Sequence, residues 1–136
     1  MPSPNPNIKL INTLESDYPH LTFKTGPKFA FKAPKTITTG PPHQFSALLT
    51  LHELAHAILK HKNYSLDIQR LKMERDAWSY VQSTLCPQYS IPFDEDFAQN
   101  QLDTYRDWLH KKSLCKTHHV TRYQDPTGTY HCPLCP

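Results

Sequence analysis

The segment His52-Glu53-Leu54-Ala55-His56 decides how the rest of the chain is interpreted. Apolar residues around it recur every three or four positions, which predicts a helix from about His43 to His61. Histidines four residues apart share one face of a helix, where both imidazoles can bind one Zn²⁺. Glu53 lies beside the first histidine and can accept a proton from water at the metal. The motif therefore predicts a catalytic zinc site with His52 and His56 as ligands and Glu53 as general base.

A catalytic zinc ion needs a third protein ligand, and a second predicted helix, roughly Ser65 to Leu85, contains two candidates for it, Glu74 and Asp76. Glu74 lies on the apolar face of this helix and is the expected ligand. Asp76 points elsewhere and is the weaker alternative. His61 follows His56 by five residues, so on a continuous helix it would point about 140° away. We therefore do not expect His61 to bind the metal.

The other elements predict the fold class. Three short segments alternate apolar and polar residues between Pro or Gly turns, namely Leu21–Thr25, Lys28–Lys32 and Lys35–Thr39. They predict a small antiparallel sheet with an exposed, lysine-bearing face. Thr36–Thr39 is expected to be an exposed edge that binds an extended substrate peptide. A short helix over residues 8–16 and a long one from about Asp94 to Lys112 complete an α+β fold with a helical zincin core, and Pro87 is expected to end the second helix.

The C-terminal segment contains a second set of metal ligands, Cys115 and His118 in a CxxH pattern and Cys132 and Cys135 in a CxxC pattern. Strands are predicted at 120–123 and 129–131, and the turn at 125–128 would bring the two patterns together around one tetrahedral zinc ion. The segment has too few apolar residues for a core and needs such a metal for its stability. His119 and His131 remain alternatives to His118. A redox CxxC is disfavoured because no thioredoxin-like βαβ pattern is present.

Length and charge limit the function classes. The chain has 136 residues and a formal net charge of +3, which does not by itself predict nucleic-acid binding. No apolar run is long enough for a membrane span and no secretory signal is present, so we expect a cytoplasmic protein in a reducing compartment, with no membrane partner. We expect a mobile tail (1–7), a zinc metallopeptidase domain (8–113) and a zinc-ribbon-like module (114–136). Weak nucleic-acid contact by that module remains possible through its basic and aromatic residues, which are Lys116, Arg122, Tyr123 and Tyr130.

Two blocks of this sequence resemble the ImmA/IrrE metallopeptidases. Residues 52–61 resemble their HELxHxxLxH helix, and residues 74–87 resemble their ExxAxxFAxxLLxP helix, with Tyr80 for Phe and Val81 for Ala. The resemblance covers about residues 43–87. It implies a gluzincin-like fold with His52, His56 and Glu74 on zinc, Glu53 catalytic, and a protein substrate that in this family is often a repressor. The chain departs from the family pattern in having no helix-turn-helix segment and in carrying the cysteine module.

Two other functions remain open. SprT-like proteases also join HExxH to a C-terminal zinc ribbon and degrade proteins crosslinked to DNA, but their third ligand is normally a histidine. A non-catalytic regulator or nucleic-acid-binding module would use the metal only for structure. The sequence also leaves open which side chain would stabilise an oxyanion, with Tyr64, Tyr80 and His61 as candidates.

Overall fold

The computed structural model describes residues 6–136 and has the predicted α+β fold. The described residues divide into two compact units, one formed by residues 6–62 and 77–93 and the other by residues 63–76 and 94–136. The division falls inside one continuous helix, between Asp76 and Ala77. Within the described range, no helix has the length and apolar character needed to cross a membrane.

The first unit begins with helix α1 (Pro6–Asp17), strands β1 (Thr22–Thr25), β2 (Ala30–Lys32) and β3 (Thr36–Thr39), and helix α2 (Ser46–Ile58). A mobile tail was expected over residues 1–7. Residues 1–5 lie outside the described residues, and residues 6 and 7 belong to α1. Helix α2 contacts α1, β2 and β3. Because these neighbours surround it, its buried face is broad and includes the fully buried Leu51, Leu54 and Ala55.

The three-stranded sheet is mixed, so the prediction of an antiparallel sheet is wrong. Its order is β1-β3-β2, with β3 parallel to β1 and antiparallel to β2. Strand β3 contains the buried Ile37 and Thr39, and the strand with the most buried face occupies the centre. The prediction that Thr36–Thr39 offers an exposed edge is therefore also wrong. The edges of the sheet are β1 and β2.

Helix α2 ends three residues earlier than predicted. The N–H of His61 donates to the carbonyl of His56 at 2.9 Å, and the N–H of Lys60 donates to that of Ala57 at 3.1 Å. These two bonds form a Schellman motif, which requires a left-handed residue just after the helix. Lys60 takes this conformation with φ of 58°. Nothing at Lys60 predicts this helix end, because the residue that usually marks it is glycine.

The following helix continues past Pro87, contrary to the prediction. Helix α3 (Asp67–Tyr80) leads into a π-helical turn (Val81–Leu85) and then into helix α4 (Cys86–Tyr89). In the π-helical turn the N–H of Cys86 donates to the carbonyl of Val81, five residues earlier. Proline has no N–H and its ring collides with the carbonyl four residues earlier in a regular α-helix. We attribute the continuation to the wider π turn, which relieves this conflict.

The second unit contains the first part of α3, helix α5 (Glu95–Ser113) and a hairpin of β4 (Tyr123–Gln124) and β5 (Tyr130–His131). The N-cap of α5 is Asp94, whose carboxylate accepts the N–H of Phe97 at 2.8 Å. The predicted hairpin is present with shorter strands than expected, and the N–H of Gly128 donates to the carbonyl of Asp125 across its turn.

The C-terminal segment is anchored on Asp67, in the first turn of α3. The N–H of Asp67 donates to the side-chain oxygen of Gln124 at 2.8 Å. Its carboxylate accepts the hydroxyl of Tyr130 at 2.7 Å and lies 2.9 Å from the ammonium of Lys112. Burial raises the pKa of Asp67, but the Tyr130 hydrogen bond and the Lys112 charge outweigh it, so the pKa lies below the ordinary carboxyl value.

Candidate metal centres

Helices α2 and α3 bring together the three predicted ligands of the first centre. His52, His56 and Glu74 are all buried, and each offers a ligand atom within 4.8 Å of the others. The Nε2 atoms of His52 and His56 face each other at 3.1 Å. A buried carboxylate beside two imidazoles is a typical donor set for a metal ion, so this group can hold one.

Aromatic side chains hold the two imidazoles in place. The His52 ring stacks on Trp78 with the ring centres 4.3 Å apart, and Phe31 of β2 stacks on His56 at 6.3 Å. Trp78 lies one helical turn after Glu74 on α3, so the two side chains share a face of that helix. Trp78 therefore packs on His52 from the face of α3 that also carries Glu74.

Of the three acidic residues expected near the first centre, only Glu74 belongs to the group of candidate ligands in the described structure. Asp76 lies outside the His52, His56 and Glu74 group and forms an ion pair with Arg75 at 3.6 Å, with 42% of its side chain exposed. Glu53 is half-buried and immediately follows His52 on α2, yet it does not belong to the group of ligand atoms. This placement fits the predicted division between a ligand, Glu74, and a general base, Glu53.

The sequence named His61 only as a candidate to stabilise an oxyanion and missed its contact with His56, one of the candidate ligands. Because the chain turns at Lys60, His61 does not point away from the centre but returns to His56, with the two Nδ1 atoms 2.8 Å apart. This nitrogen of His56 lies across the ring from Nε2, which faces His52. His61 is therefore placed to hold the His56 ring from behind. Its spacing of five residues from His56 would indicate this contact only if the helix end at Lys60 were known.

The second centre joins all four residues expected for it, Cys115, His118, Cys132 and Cys135. The His118 Nδ1 atom lies 3.7, 3.5 and 3.4 Å from the sulfur atoms of Cys115, Cys132 and Cys135, respectively. The sulfur atoms of Cys115 and Cys135 are 3.8 Å apart. The four donors thus surround one point and can hold a metal ion.

The surroundings of the thiols favour metal binding. Hydrogen bonding from the backbone N–H of His118 lowers the pKa of Cys115 to about 6. Interaction with the neighbouring thiol of Cys132 and burial raise the pKa of Cys135 to about 11. Three thiols this close together cannot all ionise easily without a cation among them, whereas a metal ion stabilises every thiolate.

The structure places the alternative histidines outside the second centre. His119 is exposed in the left-handed conformation, with φ of 56°, and His131 lies 2.6 Å from the carboxylate of Asp125 through Nε2. That carboxylate also accepts the hydroxyl and N–H of Thr127, and these hydrogen bonds lower the pKa of Asp125. His118 is therefore the histidine that the hairpin brings to the cysteines.

Comparison of the chain with protein-family models, curated proteins and solved structures found no match.

Proposed function

We propose that this protein is a zinc-dependent metallopeptidase that also holds a structural zinc ion. The observation that carries the proposal is the meeting of His52, His56 and Glu74 beside Glu53. Three protein donors leave one position of a four-coordinate ion open, which is the arrangement of catalytic zinc sites. The resemblance of residues 52–61 and 74–87 to the ImmA/IrrE peptidases supports the same role and suggests a regulatory protein as the substrate.

The donor distances support zinc as the metal. A tetrahedral zinc ion about 2.3 Å from sulfur and 2.0–2.1 Å from nitrogen gives edges of about 3.8 Å between two sulfurs and 3.5 Å between sulfur and nitrogen. The Cys115–Cys135 edge is 3.8 Å, and the edges from His118 to the sulfurs are 3.4–3.7 Å. The 3.1 Å between the Nε2 atoms of His52 and His56 is close to the corresponding edge of about 3.3 Å.

Glu53 would carry the proton transfer in this peptidase. A zinc ion held by His52, His56 and Glu74 would supply a Lewis acid able to acidify water and polarise a peptide carbonyl. Glu53 accepts the proton of the attacking water and passes it to the leaving amine. His52 and His56 must stay neutral to bind metal, and their stacking on Trp78 and Phe31 keeps them oriented.

Strand β2 is the part of the sheet best placed to bind a substrate peptide. It is an edge strand, and its Phe31 side chain stacks on His56. An extended peptide can add to the free edge of a sheet through backbone hydrogen bonds. A peptide paired with Ala30–Lys32 would therefore run beside the first centre, in place of the expected pairing with β3.

The ligand set favours the ImmA/IrrE-like function over the SprT-like alternative. SprT-like proteases normally use a histidine as third ligand, whereas here the third group is the carboxylate of Glu74. His61, the nearest further histidine in sequence, contacts the opposite side of His56. A non-catalytic, zinc-stabilised protein remains the alternative of a different class, and the hydrolysis assay distinguishes it.

The test combines metal analysis with hydrolysis of a quenched fluorescent peptide library by the full chain. We expect two zinc ions per wild-type molecule and cleavage of some library peptides. Glu53→Gln should retain both zinc ions and lose cleavage by at least about a hundredfold, because an amide cannot accept the proton. Glu74→Ala should retain one zinc ion and also lose cleavage.

Glu15→Gln is the matched control. It makes the same chemical change as Glu53→Gln, but at an exposed position on α1 that does not belong to the first centre. It should behave as wild type. A Glu53→Gln protein that cleaves normally would remove Glu53 as general base. Two bound zinc ions without hydrolysis of any library or protein substrate would favour the non-catalytic alternative, and zinc retained at both centres by Glu74→Ala would favour the SprT-like one.

A further inference from the structure

A basic groove lies at the second centre, and three of that centre's candidate ligands, Cys115, Cys132 and Cys135, line part of it. It has a volume of about 600 Å³ and is lined by the end of α5 and the segment that follows it. Its lining includes four cationic side chains, Lys111, Lys112, Lys116 and Arg122. Among the residues lining it in the described structure, none is an aspartate or glutamate.

Two of these cations lie outside every ion pair formed by residues 6–136. Within the part of the chain that the structure describes, Lys111 and Lys116 form no ion pair, and both are exposed. Lys112 does have one, since its ammonium lies 2.9 Å from Asp67, but it is also 49% exposed. Cations near the end of a helix are favoured by its dipole, which accounts for Lys111 and Lys112. Lys116 lies beyond the last turn of α5, outside the reach of this dipole.

Arg122 is held in a fixed position at this groove. Its guanidinium donates to the carbonyl of Lys112 at 2.6 Å and to that of Ser113 at 3.4 Å. It also lies over the ring of Tyr130, 4.9 Å from the ring centre. These contacts leave the Nη1 atom without a hydrogen bond among the described residues. A guanidinium fixed on an aromatic ring loses little side-chain entropy when it binds a phosphate.

An exposed aromatic side chain adjoins the basic groove. Tyr123 is 60% exposed, and its ring stacks on that of His131, one of the groove residues, with the centres 5.2 Å apart. Cations that bind phosphate next to an exposed aromatic ring that can stack on a base are typical of surfaces for single-stranded nucleic acid. An acidic peptide would use the cations but would gain nothing specific from Tyr123.

We propose that the basic groove binds single-stranded nucleic acid, with Lys111, Lys116 and Arg122 on backbone phosphates and Tyr123 stacked on a base. This function goes beyond the proposed peptidase and does not depend on it. Binding is expected to be weak and insensitive to base sequence, because the contacts are with phosphates and one stacked base.

The test measures fluorescence anisotropy of labelled oligothymidylate and oligouridylate with the zinc-loaded full chain at several salt concentrations. Affinity should fall with salt, with a log–log slope of about −2 for three phosphate contacts. Lys116→Ala should reduce the magnitude of this slope by about 0.7. Tyr123→Ser should weaken binding by on the order of tenfold and leave the slope unchanged. Comparing the affinities for the two oligonucleotides shows whether DNA or RNA is the preferred strand.

Lys28→Ala is the control for a general charge effect, because Lys28 is an exposed lysine of the first unit. It should bind as wild type, and metal analysis should give two zinc ions for every variant used. Absence of salt-dependent binding, or equal loss from Lys28→Ala and Lys116→Ala, would overturn the proposal. The proposal would also be overturned if polyglutamate competed as strongly as unlabelled oligonucleotide and Tyr123→Ser had no effect. That result would assign the groove to an acidic protein.

Discussion

Replacing His61 by alanine should weaken zinc binding at the first centre. A histidine that binds metal through Nε2 carries its proton on Nδ1 and needs an acceptor for it. The Nδ1 atom of His61 lies 2.8 Å from that of His56 and is placed to be this acceptor. The turn at Lys60 should survive the replacement, because the bond from His61 to the His56 carbonyl involves only the backbone.

The size of this effect follows from the exposure of His61. Loss of such an outer-shell partner typically costs 10- to 100-fold in metal affinity. His61 is half-buried, so a water molecule can replace its side chain and the loss should be at the lower end. We expect the zinc affinity of the first centre to fall about tenfold, which corresponds to about 1.4 kcal/mol of binding free energy. His61→Gln should restore most of it, because the amide oxygen can accept the same proton.

The assay is a competition between the protein and a chromophoric zinc chelator, with zinc per chain measured as the chelator concentration rises. The thiolate centre serves as an internal reference, because His61 is not one of its ligands. Lys60→Gly is the backbone control, since glycine adopts the left-handed conformation at least as readily as lysine. Wild-type affinity in His61→Ala, or the same loss in His61→Gln, would refute the positioning role.

Three further predictions concern the two units. Cys132→Ser should lose one zinc ion and the order of residues 115–136, and metal analysis with amide hydrogen exchange would show this; two zinc ions retained would contradict the second centre. Asp67→Asn should cost about 1–2 kcal/mol in thermal unfolding near neutral pH, and the difference from wild type should narrow only as pH falls below the ordinary value of 3.8, because the folded pKa is lowered. A difference that instead grew at low pH would contradict this. Thr38→Pro should destabilise the sheet rather than only peptide binding, because Thr38 pairs with both Lys24 and Ala30; an unchanged melting temperature would contradict the central position of β3.

The elements that the sequence predicted well are those with a strong local pattern. The apolar repeat around His52 and His56 located α2, and the helix predicted from about Asp94 is α5, which begins at Glu95 with Asp94 as its N-cap. The apolar face of the second helix distinguished Glu74 from Asp76, because a helical period alone decides which of two nearby carboxylates is buried.

The features that the sequence did not predict depend on contacts between distant segments. Alternation identifies strands β1–β3 but carries no information about their order, which depends on how deeply each one is buried. Pro87 normally ends a helix, and only the π turn before it allowed the helix to continue. Lysine has no intrinsic preference for the left-handed conformation, so the sequence could not predict that Lys60 ends helix α2.

The two candidate centres also differ in how far local spacing can define them. The four donors of the second centre lie within 21 residues joined by one tight turn, so the spacing of Cys and His contained nearly all the information. In the first centre, two ligands are one turn apart, but Glu74 comes from another helix and His61 from a chain reversal. The packing of Trp78 and Phe31 on the imidazoles and the contact of His61 with His56 hold the two imidazoles in place. The first centre is therefore expected to keep its donors in place without metal, whereas the second needs the metal to bring its cysteines together.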